Sequence, residues 1–141
     1  MNLIKRSSFA LLMALTILLP IASQAADKAS EEGRTKHHQT SIQICQDCAT
    51  ACERCATACL KDADVKAMVA CIQLDRDCAD MCRLCAQLMA RDSACAGKVC
   101  ALCATVCQAC ADECAKHKTA DCQKCAEACQ KCADECKKMA K

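Results

Sequence analysis

Cysteine is the residue type that could do chemistry in this chain, and its spacing says which chemistry. The 141 residues contain 20 cysteines in four groups. The first is Cys45, Cys48, Cys52, Cys55 and Cys59, and the second Cys71, Cys78, Cys82 and Cys85. The third is Cys95, Cys100, Cys103, Cys107, Cys110 and Cys114, and the fourth Cys122, Cys125, Cys129, Cys132 and Cys136. Steps of three and four alternate, which is a heptad seam on a helix. Residues three or four apart on a helix have β-carbons roughly 5–6 Å apart. A disulfide wants them at about 3.8 Å. Neighbours on one helix are therefore too far apart to bond easily. They can hold a metal between them, because two metal–sulfur bonds of about 2.3 Å reach further than one S–S bond.

Thiolates favour soft ions: Cu(I), zinc or iron–sulfur clusters. The ferredoxin run needs a closer third cysteine and a proline, and neither is present beside these motifs. Charge separates copper from zinc. A Cu(I) ion that replaces one thiol proton leaves a neutral unit, whereas a zinc tetrathiolate carries about −2. The seams hold almost no Lys or Arg, and buried uncompensated charge is costly. Multiple Cu(I) ions per chain fit better than zinc or cadmium in a metallothionein-like role. Cysteine as a mere small core hydrophobe does not explain 20 of them, since Leu or Val would fill a core better without the oxidation risk. A structural scaffold held by cross-helix disulfides stays open as a rival, and thiol counting distinguishes it.

The same heptads run past the cysteines. They place Ser41 and His38 before the first group, Met68, Asp75 and Met89 on the second seam, His117 after the third group and Met139 after the fourth. In an antiparallel bundle His38, Met89 and Met139 share one end, and Met68 and His117 the other. Imidazole and thioether bind copper without losing a thiol proton, so His38, Met89, His117 and Met68 are candidate mouth ligands. The bland alternative is that Met plugs the bundle ends and His38 sits in a tail. Asp75 interrupts its seam and is expected to leave a local gap in a metal array.

These residues need helices to position them. Ala, Glu, Lys, Gln and Arg between the cysteines are good helix formers, and the pattern predicts helices near 40–60, 63–90, 93–116 and 119–139. Asp62 or Asp64, Asp92 or Ser93, and Thr119 are candidate N-caps for the last three. Short linkers make neighbours antiparallel. The fold class is all-α, an antiparallel up-down-up-down four-helix bundle with a cysteine-lined core. No strand pattern supports a thioredoxin-like redox enzyme. No nucleophile–base pair, phosphate loop or carboxylate pair suggests another, so the chain reads as a non-enzyme.

The N-terminus reads separately. Lys5 and Arg6 precede an apolar run, Phe9 to Ala22, and then Ser23-Gln24-Ala25. This is the layout of a secretory signal peptide over 1–25. Lys5-Arg6 is not a twin arginine, which points to Sec rather than Tat export and to the periplasm. Residues 26–39 read as a flexible tail and 40–141 as the bundle. Loss of Lys5 and Arg6 leaves 17 basic and 17 acidic residues, so nothing favours nucleic acid or an anionic membrane as partner.

The run from Leu84 to Cys136, with VCALCATVCQACADEC and DCQKCAEACQKCADEC, resembles the bacterial copper storage proteins, and the likeness extends over about 40–139. It implies four antiparallel helices around a tube of thiolates, Cu(I) bound largely between cysteine pairs, and a homotetramer. By position the implied pairs are Cys48/Cys52, Cys55/Cys59, Cys78/Cys82, Cys103/Cys107, Cys110/Cys114, Cys125/Cys129 and Cys132/Cys136. It also implies His and Met at the open mouth, and copper-trafficking proteins or copper enzymes as partners. The chain departs from exported members of that family in lacking a clear twin-arginine signal.

Overall fold

The computed structural model describes residues 21–140. It divides into two units, 1–34 and 35–141. The described part of the first is helical; the second holds every cysteine. The helices are α1 (Ile21–Cys59), α2 (Val69–Ala90), α3 (Ala96–Cys114) and α4 (Ala120–Met139). A short 3₁₀ turn, Val65–Met68, leads into α2. No strand occurs among the described residues.

Contacts across the interior give the topology. On α1 and α4, Cys45 meets Cys136, Cys48 and Cys52 meet Cys129, and Cys55 and Cys59 meet Cys122. One number rises as the other falls, so these helices are antiparallel. The α2–α3 contacts behave alike, with Cys71 against Cys114, Cys78 against Cys107 and Cys85 against Cys100. Across the diagonal, Cys71, Cys78 and Cys82 meet Cys122, Cys129 and Cys132 in the same order, so α2 and α4 run parallel. This is the up-down-up-down bundle that the seams predict. Alanines fill many of the remaining buried positions, among them Ala56, Ala79 and Ala133. Their small side chains let the backbones approach until sulfur fills most of the middle.

Helix ends differ from the sequence expectation for local reasons. α1 begins at Ile21, well before residue 40, and takes in the 26–39 stretch expected as a tail. Residues 1–20 of the expected signal peptide lie outside the described residues. Asp64 does cap, but it caps the 3₁₀ turn, accepting from the Ala67 N–H at 3.2 Å. Asp92 ends α2 instead of starting α3. It takes φ 49°, the left-handed region, while its N–H bonds to the Met89 carbonyl and that of Ser93 to the Leu88 carbonyl. That pair of bonds is a Schellman closure, in which Asp is one of the few residues that tolerate the left-handed position. α3 therefore starts only at Ala96, with Cys95 at its N-cap. Thr119 caps α4 as expected, its Oγ1 accepting from the Cys122 N–H at 3.3 Å.

Candidate metal centre

Nineteen cysteines are buried and one, Cys95, is exposed. The seam thus delivers its sulfurs inward as expected, with that exception. Cys95 belongs to the α2–α3 turn, where its N–H bonds to Ser93 Oγ at 3.3 Å, and it stands outside the sulfur core.

The buried sulfurs form overlapping quartets. Sγ atoms lie within 4.8 Å of one another in the sets Cys45/Cys103/Cys132/Cys136, Cys48/Cys78/Cys82/Cys107, Cys52/Cys110/Cys125/Cys129 and Cys55/Cys59/Cys71/Cys122. Each draws on at least three helices, which no reading of one helix alone could reveal. Of the pairs implied by resemblance, Cys78/Cys82 and Cys110/Cys114 have Sγ atoms 4.0 Å apart, and Cys103/Cys107 and Cys125/Cys129 are at 3.8 Å. Cross-helix contacts are closer, for example 3.4 Å for Cys82 with Cys107 and for Cys52 with Cys129.

Metal ligation needs the thiolate, and the thiol network governs where one forms. The Cys48 thiol is lowered to about 7, chiefly by the Cys107 thiol and then that of Cys129, whose hydrogen bonds favour its thiolate. Burial pushes the Cys59 thiol up, and its neighbour Cys122 adds to that.

Asp75 fills its seam position with a carboxyl where the pattern elsewhere supplies a sulfur. It is fully buried, and Oδ1 accepts from Cys110 at 3.2 Å and from Cys114 and Cys125 at 3.3 Å. Cys71 approaches Oδ2 at 3.7 Å. Burial raises its carboxyl to about 8, and proximity to the Cys125 and Cys71 sulfurs adds to the rise. A neutral carboxyl at physiological pH is the outcome, because no cation stands near. The heptad flagged the position; that the interruption is filled by an oxygen surrounded by thiols was not legible from spacing.

The two ends differ chemically. At the α1 N-terminal side, His38 Nδ1 lies 3.4 Å from Asp92 Oδ1 and Met89 is buried. There Ser41 Oγ donates to Glu135 Oε1 at 2.6 Å, and Lys138 Nζ to Oε2 at 2.9 Å. Burial alone would raise Glu135, but the Ser41 and Lys138 hydrogen bonds more than offset it and hold the carboxyl below its usual range. Sequence reasoning missed Glu135, which lies off the seam; only Ser41, on the seam, hinted at a polar closure. At the other end Met68 is buried, and His117 Nε2 is buried with no hydrogen-bond partner among the described residues. Glu113 Oε1 is 3.6 Å from it. The heptad extension therefore put all four mouth candidates at the correct ends.

A four-helix bundle whose interior is a column of thiols interrupted at Asp75, with no buried Lys or Arg among the described residues, defines a class: a protein built to hold soft monovalent metal. Comparison with known proteins gives the family. Residues 34–141 match the family described as copper storage protein, and the chain belongs to it. Three solved structures are similar. The apo copper storage protein 3 of Bacillus subtilis is 45% identical, with a TM-score of 0.70, covering 73% of this chain and 98% of that one. A Cu(I)-bound copper storage protein, BsCsp3, is 44% identical, with a TM-score of 0.72, over 74% and 99%. A cytosolic copper storage protein of Streptomyces lividans, solved with five coppers, is 39% identical, with a TM-score of 0.72, over 74% and 92%. No curated protein matches the chain.

Proposed function

We propose that the chain is a high-capacity Cu(I) store whose ligands are the core cysteines. The observation that carries this reading is the set of overlapping, cation-free sulfur quartets. A bundle built for a few structural zinc ions would isolate separate tetrahedral sites. Here sulfurs are shared between quartets, as Cys48 and Cys78 are, and shared thiolates suit bridged Cu(I). One Cu(I) per thiol proton keeps the core neutral, which a bundle without internal cations requires. The ligand set is the 19 buried cysteines, with Asp75 as an oxygen donor in their midst and Cys95 outside it. The job is binding and release, not catalysis.

His117 and Met68 form the mouth this reading favours. A buried, unpartnered imidazole nitrogen costs stability unless something occupies it, and a passing copper ion is a suitable occupant. His38 and Met89 stand at the more firmly tied end, behind the Ser41–Glu135 contact. Residues 1–25 serve as a Sec signal peptide that delivers the chain to the periplasm. The charged Lys5-Arg6 start and the apolar run support this, although the related Streptomyces lividans protein is cytosolic. Assembly is a homotetramer, supported by the exposed Leu84 on α2 and Leu102 on α3.

The discriminating experiment is metal analysis of protein purified from copper- and zinc-supplemented cells, together with cell fractionation and the mass of the mature chain. Copper in large excess over zinc, in a periplasmic protein that begins near Ala26, is expected. Bound zinc, or a chain that keeps residue 1, would contradict the metal or the export reading respectively. Sedimentation of Leu102→Lys tests assembly, and an unchanged tetramer would place the interface elsewhere.

A further inference from the structure

The two ends of the sulfur column finish alike but are closed differently. Each ends in a layer of four sulfurs, one from each helix. At one end these are Cys45, Cys85, Cys100 and Cys136. Cys45 lies 3.8 Å from Cys136 and Cys85 3.3 Å from Cys100, and Cys85 also hydrogen-bonds to Cys45 and Cys136. At the other end they are Cys59, Cys71, Cys114 and Cys122. There Cys59 lies 3.6 Å from Cys122 and Cys71 3.6 Å from Cys114. Beyond the Cys59 layer no side-chain hydrogen bond joins α1 to α4 among the described residues, and Leu60, which follows α1, is exposed. Beyond the Cys45 layer the same two helices are stitched once more. Ser41 stands one turn before Cys45, Glu135 adjoins Cys136, and both are buried. Ser41 Oγ is 2.6 Å from Glu135 Oε1.

The Ser41 hydroxyl has one proton and two acceptors in reach, since the His37 carbonyl is 3.0 Å away. The shorter, charge-assisted bond to the carboxylate is the stronger claim on it. Lys138 Nζ donates to Glu135 Oε2 at 2.9 Å, and His37 Nε2 stands 3.5 Å from Oε1. A buried carboxylate is costly unless its oxygens are engaged, and here both are. Lys138 belongs to α4, the helix of Glu135 itself, but Ser41 and His37 belong to α1. The carboxylate is therefore fully satisfied only while α1 lies against α4 at this end. On α2, Met89 adds a buried apolar side chain one turn beyond Cys85.

We propose that Ser41 and Glu135 latch α1 to α4 and keep this end of the column shut, so that metal exchanges through the Cys59 end alone. What passes through the ends is taken from the copper-storage reading; the latch itself can be tested without copper. Small molecules reach Cys45 and Cys136 only when the two helices part locally, and the latch bond sets how often they do. A hydrogen bond to a charged group shifts such an opening equilibrium by roughly tenfold to a hundredfold. Ser41 is a positioning residue in this scheme. It hydrogen-bonds to no sulfur among the described residues and acts through Glu135.

The test compares the two ends of one molecule. In the first arm the reduced, copper-free mature chain is pulsed with iodoacetamide under argon, and alkylation at each cysteine is mapped by mass spectrometry. In wild type, Cys45 and Cys136 are expected to react at least about tenfold more slowly than Cys59 and Cys122. Ser41→Ala should speed Cys45 and Cys136 at least about tenfold and leave Cys59 and Cys122 within about twofold. Ser41→Thr, which keeps the hydroxyl, should retain the wild-type pattern. In the second arm the Cu(I)-loaded proteins are mixed with excess chromogenic chelator. Ser41→Ala should release copper faster than wild type from the same total load. Equal acceleration at both ends would reduce Ser41 to a general contributor to stability and overturn the proposal. So would unchanged labelling of Cys45 and Cys136, or a Ser41→Thr protein as reactive as Ser41→Ala. Faster labelling without faster copper release overturns the role in metal exchange. A wild-type protein that takes up no Cu(I) would count against storage, while the alkylation arm still decides the latch.

Discussion

Replacing Asp75 by Asn isolates the cost of keeping an acid in a core without cations. The carboxyl is raised from 3.8 to about 8, mainly by burial. Each pKa unit corresponds to 1.36 kcal/mol, so the full shift is worth roughly 5–6 kcal/mol. Residual solvent screening halves this to about 2–3 kcal/mol. The sign follows from proton counting. In the unfolded chain the group ionises above pH 3.8; in the folded chain it holds its proton to about 8. Folding therefore takes up a proton between these values, and stability falls as pH rises through that window. Asn keeps an oxygen for Cys110, Cys114 and Cys125 and cannot ionise. Denaturant unfolding of reduced, copper-free protein at pH 5 and pH 7.5 is the assay. Wild type should lose about 1–2 kcal/mol across that interval relative to Asp75→Asn, because the two proteins differ at this group alone. Parallel slopes for the two proteins would refute the reasoning.

Three further outcomes are expected. Cu(I) loading should raise the melting temperature by at least about 15 °C, since each site held well above its Kd contributes on the order of 4 kcal/mol, and calorimetry of apo and loaded protein checks it. Cys82→Ala, which removes a sulfur touching four others, should cut capacity by one or more copper ions, while Cys95→Ala changes capacity not at all and stability within about 0.5 kcal/mol; copper counting on desalted protein separates them. Thr119→Ala should destabilise the apo protein by about 1 kcal/mol through loss of the α4 cap, measured by urea unfolding with no change in copper bound.

The helices, their antiparallel order and the inward direction of the sulfurs were legible in the sequence because one periodicity encodes all three. A cysteine at every third or fourth position cannot lie on a helix without forming a stripe. What the stripe did not encode is how four of them interlock. The quartets named above each take members from three helices, and their composition depends on the rotation of each helix about its axis. The α2–α3 boundary was misjudged for a related reason. Asp92 and Ser93 are good N-caps by type, yet Asp92 adopts a positive φ to close α2, a choice fixed by the turn as a whole. Cys95 looked like a seam member by residue type, but its five-residue step to Cys100 breaks the heptad, and that irregularity was the available signal. Glu135 carried none, because its burial comes from a neighbour on another helix.

The measurement that tests the central claim most directly is an anaerobic titration of the reduced mature protein with Cu(I) against a competing chelator, with copper and thiols counted on the desalted product. With 19 buried thiols and about one Cu(I) held per thiolate, the account predicts well over about ten tightly held copper ions per chain, with nearly all thiols free in the apo protein under denaturation. Retention of one or two copper ions, or a preference for about five zinc ions, would leave the bundle intact and contradict its role as a copper store.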